Sequence, residues 1–434
     1  MKDKLKVLRY YLYYKKKNRF KNKEELEKFQ QKAIEKHLKF VTENSKFYFK
    51  YKGKSLKDFP IVDKKIMMDN FNEFNTVGVD KEEALDFAMD SEKTREFNSK
   101  LNNITVGLSS GTSNSRGVFL VNNDEKNKWA GYILAKFLPG NIFKKYSVAF
   151  FMRANSNLYE SVKSKNIQFH FFDIYVDMKE NIEKLKEIQP DIIAGQPSVL
   201  LLIANEVRAG KLNINPKVVI SIAEVLEKSD EEYIKKILNQ KVIHQAYQCT
   251  EGCLACTCEY GSIHLNEDIV YIEKEYLDEK RFIPIITDFT RTSQPIIRYR
   301  LNDILVERKE KCKCGLSYTV LEKIEGREDD IFIFEGNEEE YVYVFPDFVR
   351  RCILFAGNIN DYRVVQNEDK TIEIYVDVSE EMKDKISVEF EKLAENKKFN
   401  LPKIEYHSYF YDKGRKLKRV ESLVNGGKIQ YEKN

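Results

Sequence analysis

The spacing of hydrophobic residues changes along this chain, and each stretch predicts a different kind of structure. In roughly the first 40 residues, apolar side chains recur at helical spacing between lysines, which predicts one or two basic amphipathic helices. The apolar residues of that stretch are Leu5, Leu8, Tyr11, Leu12 and Phe20. We expect a helix on the protein surface, and a helix resting on an anionic membrane surface is the alternative.

Short apolar runs alternate with longer helical stretches from about Ile104 onward. Such runs between amphipathic segments indicate βαβ units and a sheet that is covered on both faces. The runs are ITVGLSS, SVAFFM, IQFHFFDIYV, DIIAG, VVISIAE and KVIHQAY. The middle of the chain is therefore predicted to be α/β.

The pattern becomes rich in strands after Glu259, and the last hundred residues differ again. There DYRVVQ, TIEIYVDV and IEYHSYF indicate strands around the helical stretch MKDKISVEFEKLAENKK. We predict an α/β protein whose large N-terminal domain, residues 1–328, has mixed β-sheets flanked by helices. A small α+β domain is predicted to follow at 329–434.

Composition narrows the class of protein and its partners. The chain has 434 residues, of which 42% are hydrophobic and 33% are charged, and its net charge is +4. These values are typical of a globular protein of two or three domains, and they provide no basic stripe for nucleic acid. The sequence contains no apolar run that could span a bilayer and no secretory pattern, so we expect a cytoplasmic protein.

The stretch LSSGTSNSRG, residues 108–117, could be a phosphate-binding loop or a polar surface loop. Glycine lets backbone N–H groups turn toward an anion, and serine and threonine hydroxyls add donors. The stretch lacks the Gly-Lys-Ser/Thr of a P-loop, which argues against a Walker-type ATPase. Taken alone, it favours a surface loop.

Five motifs in the correct order resemble those of the adenylate-forming superfamily, which includes acyl-CoA synthetases, luciferases and peptide-synthetase adenylation domains. LSSGTSNSRG resembles SSGTTGKP, AYQCTEG resembles YGxTE, IIRYRLND resembles YRTGD, IEGREDDIF resembles GRxDD, and GRKLKRV resembles GKxxR. AGQPSVLL, ITDFTRTSQPIIRYRLNDIL and CKCGLSYTVLEKIEGREDD look most like the phenylacetate-CoA ligases, CapK proteins and deazaflavin-coenzyme adenylyltransferases. The resemblance extends from about Phe59 to Val420.

The resemblance implies a site for ATP. The residues that would handle its β- and γ-phosphates are Ser109, Ser110, Gly111, Thr112 and Ser113. Arg116 supplies the cation where the family has a lysine, and a guanidinium can bind phosphate through two donors.

Residues of three later motifs would surround the rest of the nucleotide. Glu224 would lie next to the base and Tyr247 would pack against the adenine. Thr250 would contact the α-phosphate region, while Glu251 would help to hold Mg²⁺, an ion that prefers carboxylate and phosphate oxygens.

The C-terminal motifs complete the implied machinery. Asp303 would accept hydrogen bonds from both ribose hydroxyls, and Arg327 would help to bind the ribose and the phosphate. Asp329 matches the hinge about which the C-terminal domain of the family rotates. Lys416 is the best match to the catalytic lysine, ahead of Lys413 and Lys418, and Arg419 follows it at the expected spacing.

Five cysteines lie in the two short segments EGCLACTCEYGSIH and KCKCG. Thiolates and imidazole are zinc ligands, and the resemblance implies a structural Zn²⁺ held by Cys258, His264, Cys312 and Cys314. Cys253 and Cys256 are alternative ligands, and reduced cysteines packed as apolar side chains are the alternative to a metal site. Cys249 and Cys352 are expected in the core.

The function implied by the resemblance is that of an AMP-forming acid–thiol ligase. Such an enzyme uses ATP and Mg²⁺ to convert a carboxylic acid, an aryl acid being one option, into acyl-AMP and pyrophosphate. It then passes the acyl group to a thiol, most simply coenzyme A. An adenylyltransferase that leaves AMP on a hydroxyl and a catalytically degenerate ATP-binding module are the alternatives.

The acid pocket is expected between the stretches AFFMRANSN, AGQPS and ISIAEVL. Their mix of aromatic and polar residues would suit an aryl acid without requiring one. A homodimer is left open, because no stretch specifies an interface.

Overall fold

The structure is a computed structural model, and it describes residues 2–16, 20–97, 99–108, 117–336, 341–357, 359, 361–410 and 418–424. The chain forms two compact units. The first comprises residues 1–275, 284–301 and 307–322, and the second comprises 276–283, 302–306 and 323–434. The segments 276–283 and 302–306, which precede residue 323, thus belong to the second unit. The assignment of residue 329 as a hinge stays a prediction.

Five helices come first in the chain, helices and strands alternate in its middle, and strands predominate after residue 243. The helices are α1 Lys2–Lys16, α2 Lys23–Asn44, α3 Lys64–Asp69, α4 Phe71–Phe74, α5 Lys81–Thr94, α6 Asn123–Phe137, α7 Asn157–Glu160, α8 Met178–Ile188, α9 Pro197–Arg208, α10 Lys228–Ile237, α11 Pro346–Ala356 and α12 Glu380–Lys397. The strands are β1 Thr105–Leu108, β2 Val118–Val121, β3 Tyr146–Met152, β4 Ile167–Asp173, β5 Ile192–Gly195, β6 Val218–Ile222, β7 Ile243–Gln248, β8 Cys253–Thr257, β9 Ile263–Leu265, β10 Val270–Tyr276, β11 Arg281–Asp288, β12 Ile296–Arg300, β13 Asp303–Arg308, β14 Val320–Arg327, β15 Phe332–Glu335, β16 Tyr341–Val344, β17 Tyr362–Gln366, β18 Ile372–Val376, β19 Ile404–His407 and β20 Val420–Ser422.

The N-terminal pattern forms two helices, α1 and α2, as the hydrophobic spacing predicted. Asn22 caps the N-terminus of α2, because its side chain accepts a hydrogen bond from the backbone N–H of Glu24 at 2.8 Å. Helix α1 packs against α6 at Gly131, where a Cβ would lie 2.5 Å from the Cβ of Tyr10. Only glycine lets the two helices approach so closely.

A parallel sheet forms the middle of the first unit and confirms the α/β prediction. Its strands lie in the order β4, β3, β5, β6 and β7, all parallel, and β8 and β9 continue it antiparallel. The strands β5 and β6 consist almost entirely of buried residues, because helices cover a parallel sheet on both faces. The carboxyl ends of these strands meet at one edge, where open α/β sheets bind ligands.

The second unit has a core of its own around a four-stranded sheet in the order β19, β18, β17 and β20. Helices α11 and α12 contribute Ile353 and Phe390 to that core, both completely buried. Phe334 stacks on Phe399 with ring centroids 4.2 Å apart. The α+β pattern predicted for the C-terminal residues is therefore confirmed.

Among the described residues, each helix is too short or too polar to cross a membrane.

Candidate active site

The predicted phosphate-binding residues lie between two paired strands. Ser109, Ser110, Gly111, Thr112, Ser113 and Arg116 fall outside the described residues. The flanking strands β1 and β2 pair antiparallel, with Leu108 opposite Val118. Gly107 in β1 leaves room for the ring of Phe119, since a Cβ there would lie 2.3 Å from that ring unless the ring moved. The phosphate role of the connecting residues stays a prediction.

Thr250 and Glu251 lie in the turn between β7 and β8, at the carboxyl edge of the parallel sheet. The turn closes with a hydrogen bond from the N–H of Cys249 to the carbonyl oxygen of Gly252 at 3.0 Å. The hydroxyl of Thr250 donates to Oε2 of Glu251 at 2.8 Å, and Nη1 of Arg291 donates to the Thr250 carbonyl at 3.3 Å. Thr250 and Glu251 are thus fixed by one hydrogen bond between their side chains and by another to the backbone of Thr250.

Tyr299 is a partner of Glu251 that the sequence reasoning missed. This tyrosine of β12 is 2% exposed, and its hydroxyl lies near enough to the Glu251 carboxylate for the two groups to interact electrostatically. Burial raises the pKa of Tyr299, and the charge of Glu251 raises it further, so the phenol stays protonated and remains a donor. Tyr299 lies in the quoted motif IIRYRLND, but its contact with Glu251 joins distant parts of the chain.

Asp288 lies directly behind the same turn. A Cβ at Gly252 would lie 2.7 Å from Oδ2 of Asp288, which explains the glycine after Glu251. Burial raises the pKa of Asp288 to about 6, against hydrogen bonds from the hydroxyl and N–H of Thr290 at 2.6 and 2.8 Å. The turn therefore rests on a buried acid that the sequence did not single out.

Glu224 follows β6 at the same edge of the sheet. The N–H of Glu224 donates to the carbonyl oxygen of Ile222 at 2.8 Å, and Ala223 between them has φ +66°, so the chain makes a tight turn that is strained for alanine. Ser198, at the start of α9, donates from its hydroxyl to Oε2 of Glu224 at 2.9 Å. The backbone and Ser198 together fix the direction of this carboxylate.

Aromatic residues cluster next to β3, one of the stretches that were predicted to border the acid pocket. Phe150 of β3 and Trp129 of α6 lie 4.8 and 5.7 Å from Tyr159, measured between ring centroids. Trp129 Nε1 donates to Oε1 of Gln248 at 3.0 Å. Gln196, between β5 and α9, is 2% exposed, and its Oε1 has no hydrogen-bond partner among the described residues.

Tyr247 is half-buried in β7, opposite Ala255 of β8. It packs against the core formed by the N-terminal helices and the antiparallel strands. The contact of Tyr247 with adenine stays a prediction.

Asp303 and Arg327 come together in the second unit. Asp303 begins β13, Arg327 ends β14, and Nε of Arg327 lies 3.8 Å from Oδ1 of Asp303. The predicted hinge residue Asp329 accepts a hydrogen bond from Nδ2 of Asn302 at 2.7 Å. The two ribose-binding candidates and the hinge candidate are therefore neighbours within one unit.

Lys416 lies outside the described residues, whereas its neighbours Lys418 and Arg419 are described. Nζ of Lys418 donates to Oδ1 of the buried Asp330 at 2.7 Å. Arg419 is 8% exposed and lies over the ring of Tyr362. Both neighbours thus have structural contacts within the second unit, and the assignment of Lys416 as the reacting lysine stays a prediction.

Cys258, His264, Cys312 and Cys314 converge in the first unit, and their ligand atoms all lie within 4.8 Å of one another. The Sγ atoms of Cys258 and Cys312 are 3.7 Å apart, and Sγ of Cys314 lies 3.4 Å from Nε2 of His264. Zn–S bonds of about 2.3 Å in a tetrahedron would separate two sulfurs by about 3.8 Å. The four residues therefore fit a tetrahedral zinc site.

The alternative ligands Cys253 and Cys256 form a separate pair. Their Sγ atoms lie 3.9 Å apart, and Nδ2 of Asn266 donates to both sulfurs, at 3.4 and 3.5 Å. Both are buried in the core beneath α6. Cys352 is buried in the second unit, as predicted, and Cys249 is half-buried at the Thr-Glu turn.

A separate cavity of about 1420 Å³ lies between α2, residues 51–57, β10 and residues 307–320. Among the described candidate residues, its lining includes Cys312 and none of the nucleotide-site group. Of the described nucleotide candidates, Glu224, Thr250 and Glu251 lie at the carboxyl edge of the sheet and away from this cavity.

No family model matches the chain. Indoleacetate–lysine synthetase of Pseudomonas savastanoi is 26% identical over 272 residues, which cover 58% of this chain and 64% of the relative. Protein CapK of Staphylococcus aureus is 23% identical over 207 residues, or 47% of this chain and 45% of the relative. Phenylacetate-coenzyme A ligase of Thermus thermophilus is 30% identical over 100 residues, or 22% and 21%. The chain thus matches less than two thirds of the length of each of these relatives.

A solved structure of 2-hydroxyisobutyryl-CoA ligase matches 92% of this chain and 88% of its own, with a TM-score of 0.64 and 15% identity. The fold is that of the adenylate-forming ligases. The sequence relatives confirm the resemblance to the adenylate-forming superfamily, in the branch that holds CapK and phenylacetate-CoA ligase.

Proposed function

We propose that this protein is an enzyme that activates a carboxylic acid as acyl-AMP and transfers the acyl group to a thiol such as coenzyme A. The observation that carries the proposal is the turn bearing Thr250 and Glu251 at the carboxyl edge of the sheet, where the Thr250 hydroxyl donates to Glu251 and the buried Tyr299 lies beside the carboxylate. Glu224, held by Ser198, follows a neighbouring strand at that edge. Together with the fold, this arrangement supports a site for ATP.

The first half-reaction needs an anion to attack another anion. An oxygen of the substrate carboxylate bonds to the α-phosphorus of ATP, and the bond to the bridging oxygen breaks, so that pyrophosphate leaves with the electron pair. The ammonium group of Lys416 would stabilise the charge that develops between the two. Residues 109–113 and Arg116 would hold the β- and γ-phosphates, while Asp303 and Arg327 would hold the ribose.

The second half-reaction breaks the acyl–AMP bond. The thiol sulfur attacks the acyl carbon and loses its proton, and AMP leaves because it is a far better leaving group than hydroxide. Trp129, Phe150 and Tyr159 would line the acid pocket, and their aromatic rings favour an aryl acid.

Magnesium and zinc are part of the proposal. Glu251 offers Mg²⁺ a carboxylate beside the predicted phosphate region, and the ion would neutralise phosphate charge. Zn²⁺ would be held by Cys258, His264, Cys312 and Cys314, where it would join β9 to the segment before β14 and take no part in the chemistry.

The acceptor has a second candidate. The relative from Pseudomonas savastanoi is named for joining indoleacetate to lysine, so an amine acceptor stands beside the thiol. Transfer of AMP to a hydroxyl and ATP binding without turnover are the remaining alternatives. The cytoplasmic location stays a prediction from the sequence, and a homodimer stays open.

Pyrophosphate release from Mg·ATP, measured over a panel of aryl and aliphatic acids, tests the proposal. We expect release that depends on the acid, an acyl-AMP detectable by mass spectrometry, and a thioester once coenzyme A is added. Lys416→Ala should lower the rate about a hundredfold or more, because it removes the cation at the developing charge.

Lys413→Ala and Lys418→Ala are the matched controls. The first should leave the rate per folded molecule within about twofold, and the second should mainly lower thermal stability, because it breaks the contact with Asp330. ATP binding with no release for any acid would contradict acid activation. An adenylated product without thioester would favour the adenylyltransferase instead.

A further inference from the structure

The outward face of α1 carries both cations and apolar side chains. Val7, Tyr11 and Tyr14 of this helix are buried in the core that it shares with α6. The opposite side of the helix lies in solvent. The residues of this outward face are Lys2, Leu5, Arg9, Leu12, Tyr13 and Lys16.

The charge of α1 is strongly one-sided. The helix KDKLKVLRYYLYYKK contains five lysines and one arginine but a single acid, Asp3. That acid engages α6, because Nδ2 of Asn127 donates to its Oδ1 at 3.0 Å. The outward face itself contains no acid, so a complementary partner must be negatively charged.

The outward face is also unusually apolar for a basic surface. Leu5 is 69% exposed, Leu12 is 41% exposed and Tyr13 is 38% exposed. A surface that met only phosphates would gain nothing from exposed leucines. Helices that lie in a membrane interface combine leucine and aromatic residues with lysine and arginine, because the apolar groups enter the headgroup boundary while the cations stay at the phosphates.

We propose that the outward face of α1 docks on an anionic phospholipid surface. Leu5 and Leu12 enter the headgroup boundary, and Lys2, Arg9 and Lys16 lie at the lipid phosphates. A second copy of this face would repel it, since both carry the same charge. A nucleic acid would satisfy the charges but would offer no apolar layer to the leucines. The proposal is independent of the proposed ligase activity.

Co-sedimentation of the full-length protein with lipid vesicles tests this docking. We expect binding to phosphatidylcholine vesicles that contain about a third phosphatidylglycerol, and little binding to pure phosphatidylcholine. The triple variant Lys2→Gln, Arg9→Gln, Lys16→Gln should weaken binding about a hundredfold, because each cation near an anionic surface contributes roughly a factor of five. Leu5→Ser with Leu12→Ser should weaken it about tenfold or more.

The matched control removes three lysines from another exposed helix. Lys383, Lys385 and Lys392 of α12 each pair with a glutamate of the same helix, so Lys→Gln at these positions should leave vesicle binding unchanged. Thermal unfolding and pyrophosphate release should be the same for both α1 variants as for the wild type, since Val7, Tyr11 and Tyr14 are kept. Equal binding to neutral and anionic vesicles, or wild-type binding by either α1 variant, would overturn the proposal.

Discussion

The Sγ atoms of Cys258 and Cys312 lie 3.7 Å apart, although 54 positions separate the two residues in the chain. Cys258 follows β8, and Cys312 lies in the turn before β14. Strand β14 pairs with β9, and His264 stands opposite Val320 in that pairing. The sheet register therefore brings the two cysteine segments together.

This geometry predicts one tightly bound zinc per chain. Cys312→Ser should lower the zinc content, measured by elemental mass spectrometry, to less than about a tenth, because a hydroxyl is a poor zinc ligand. The melting temperature should fall by about 5 °C or more. Cys256→Ala is the control and should keep its zinc, because its sulfur lies in the separate pair with Cys253. Loss of zinc from both variants would contradict the assignment.

Tyr299 is expected to act as a positioning residue for Glu251. Tyr299→Phe removes only the hydroxyl that lies beside the carboxylate, and a hydrogen bond from this hydroxyl to the charged group would contribute about 1.5–3 kcal/mol. We expect the Mg²⁺ concentration for half-maximal pyrophosphate release to rise about tenfold or more, with a smaller change in the KM for the acid.

Tyr132→Phe is the matched control for this substitution. The hydroxyl of Tyr132 donates to Oδ1 of the buried Asp268 at 2.8 Å, away from the Thr-Glu turn. Its loss should reduce the free energy of unfolding by about 1.5–3 kcal/mol, because the acceptor is a carboxylate, and should leave the Mg²⁺ dependence unchanged. Identical Mg²⁺ profiles for Tyr299→Phe and the wild type would show that Tyr299 has only a structural role.

Ser198 is expected to set the affinity for ATP through Glu224. Ser198→Ala removes a hydrogen bond of 2.9 Å to the carboxylate that was predicted to lie beside the base. The KM for ATP should rise about threefold to tenfold, which corresponds to about 0.5–1.5 kcal/mol, while the KM for the acid changes less. Ser147→Ala in β3 is the control, because the buried Ser147 hydroxyl has no hydrogen-bond partner among the described residues. An unchanged KM for ATP in Ser198→Ala would contradict the assignment of Glu224 to the binding site for the base.

His37 should make the protein less stable in mild acid. It is 4% exposed in α2, and burial lowers its pKa to about 4, from a usual value of 6.5. Between about pH 6.5 and pH 4, His37 is protonated in the unfolded chain but neutral in the folded chain. The stability contribution of neutral His37 is therefore fully present above about pH 6.5 and decreases as the pH falls toward about 4. The free energy of unfolding should decrease by about 2 kcal/mol from this group between about pH 7.5 and pH 5.

Urea unfolding at the two pH values measures this loss. His37→Phe should remove it, because phenylalanine has no proton to gain, whereas the control His407→Gln should keep the wild-type dependence, since His407 is 41% exposed. Wild-type pH dependence in His37→Phe would assign the acid sensitivity to other groups.

The local pattern of the sequence determined most of the secondary structure and the class of fold. Short apolar runs such as VVISIAE and DIIAG became buried parallel strands, because a strand covered on both faces excludes polar side chains. The residues of α12 became a helix because their apolar positions recur at helical spacing. Candidate ligands could also be named, since thiolates, imidazoles and carboxylates are recognisable by type.

The tertiary structure alone decided which of these groups meet. Five cysteines in two segments allowed several ligand sets, and the register of β8, β9 and β14 separated Cys258 and Cys312 from the pair Cys253 and Cys256. The sequence also did not predict that Glu251 lies beside Tyr299 or that Glu224 is held by Ser198. Hydrophobic periodicity reports only the face on which a residue lies, whereas a hydrogen bond between distant segments depends on strand order and register, which long-range packing sets.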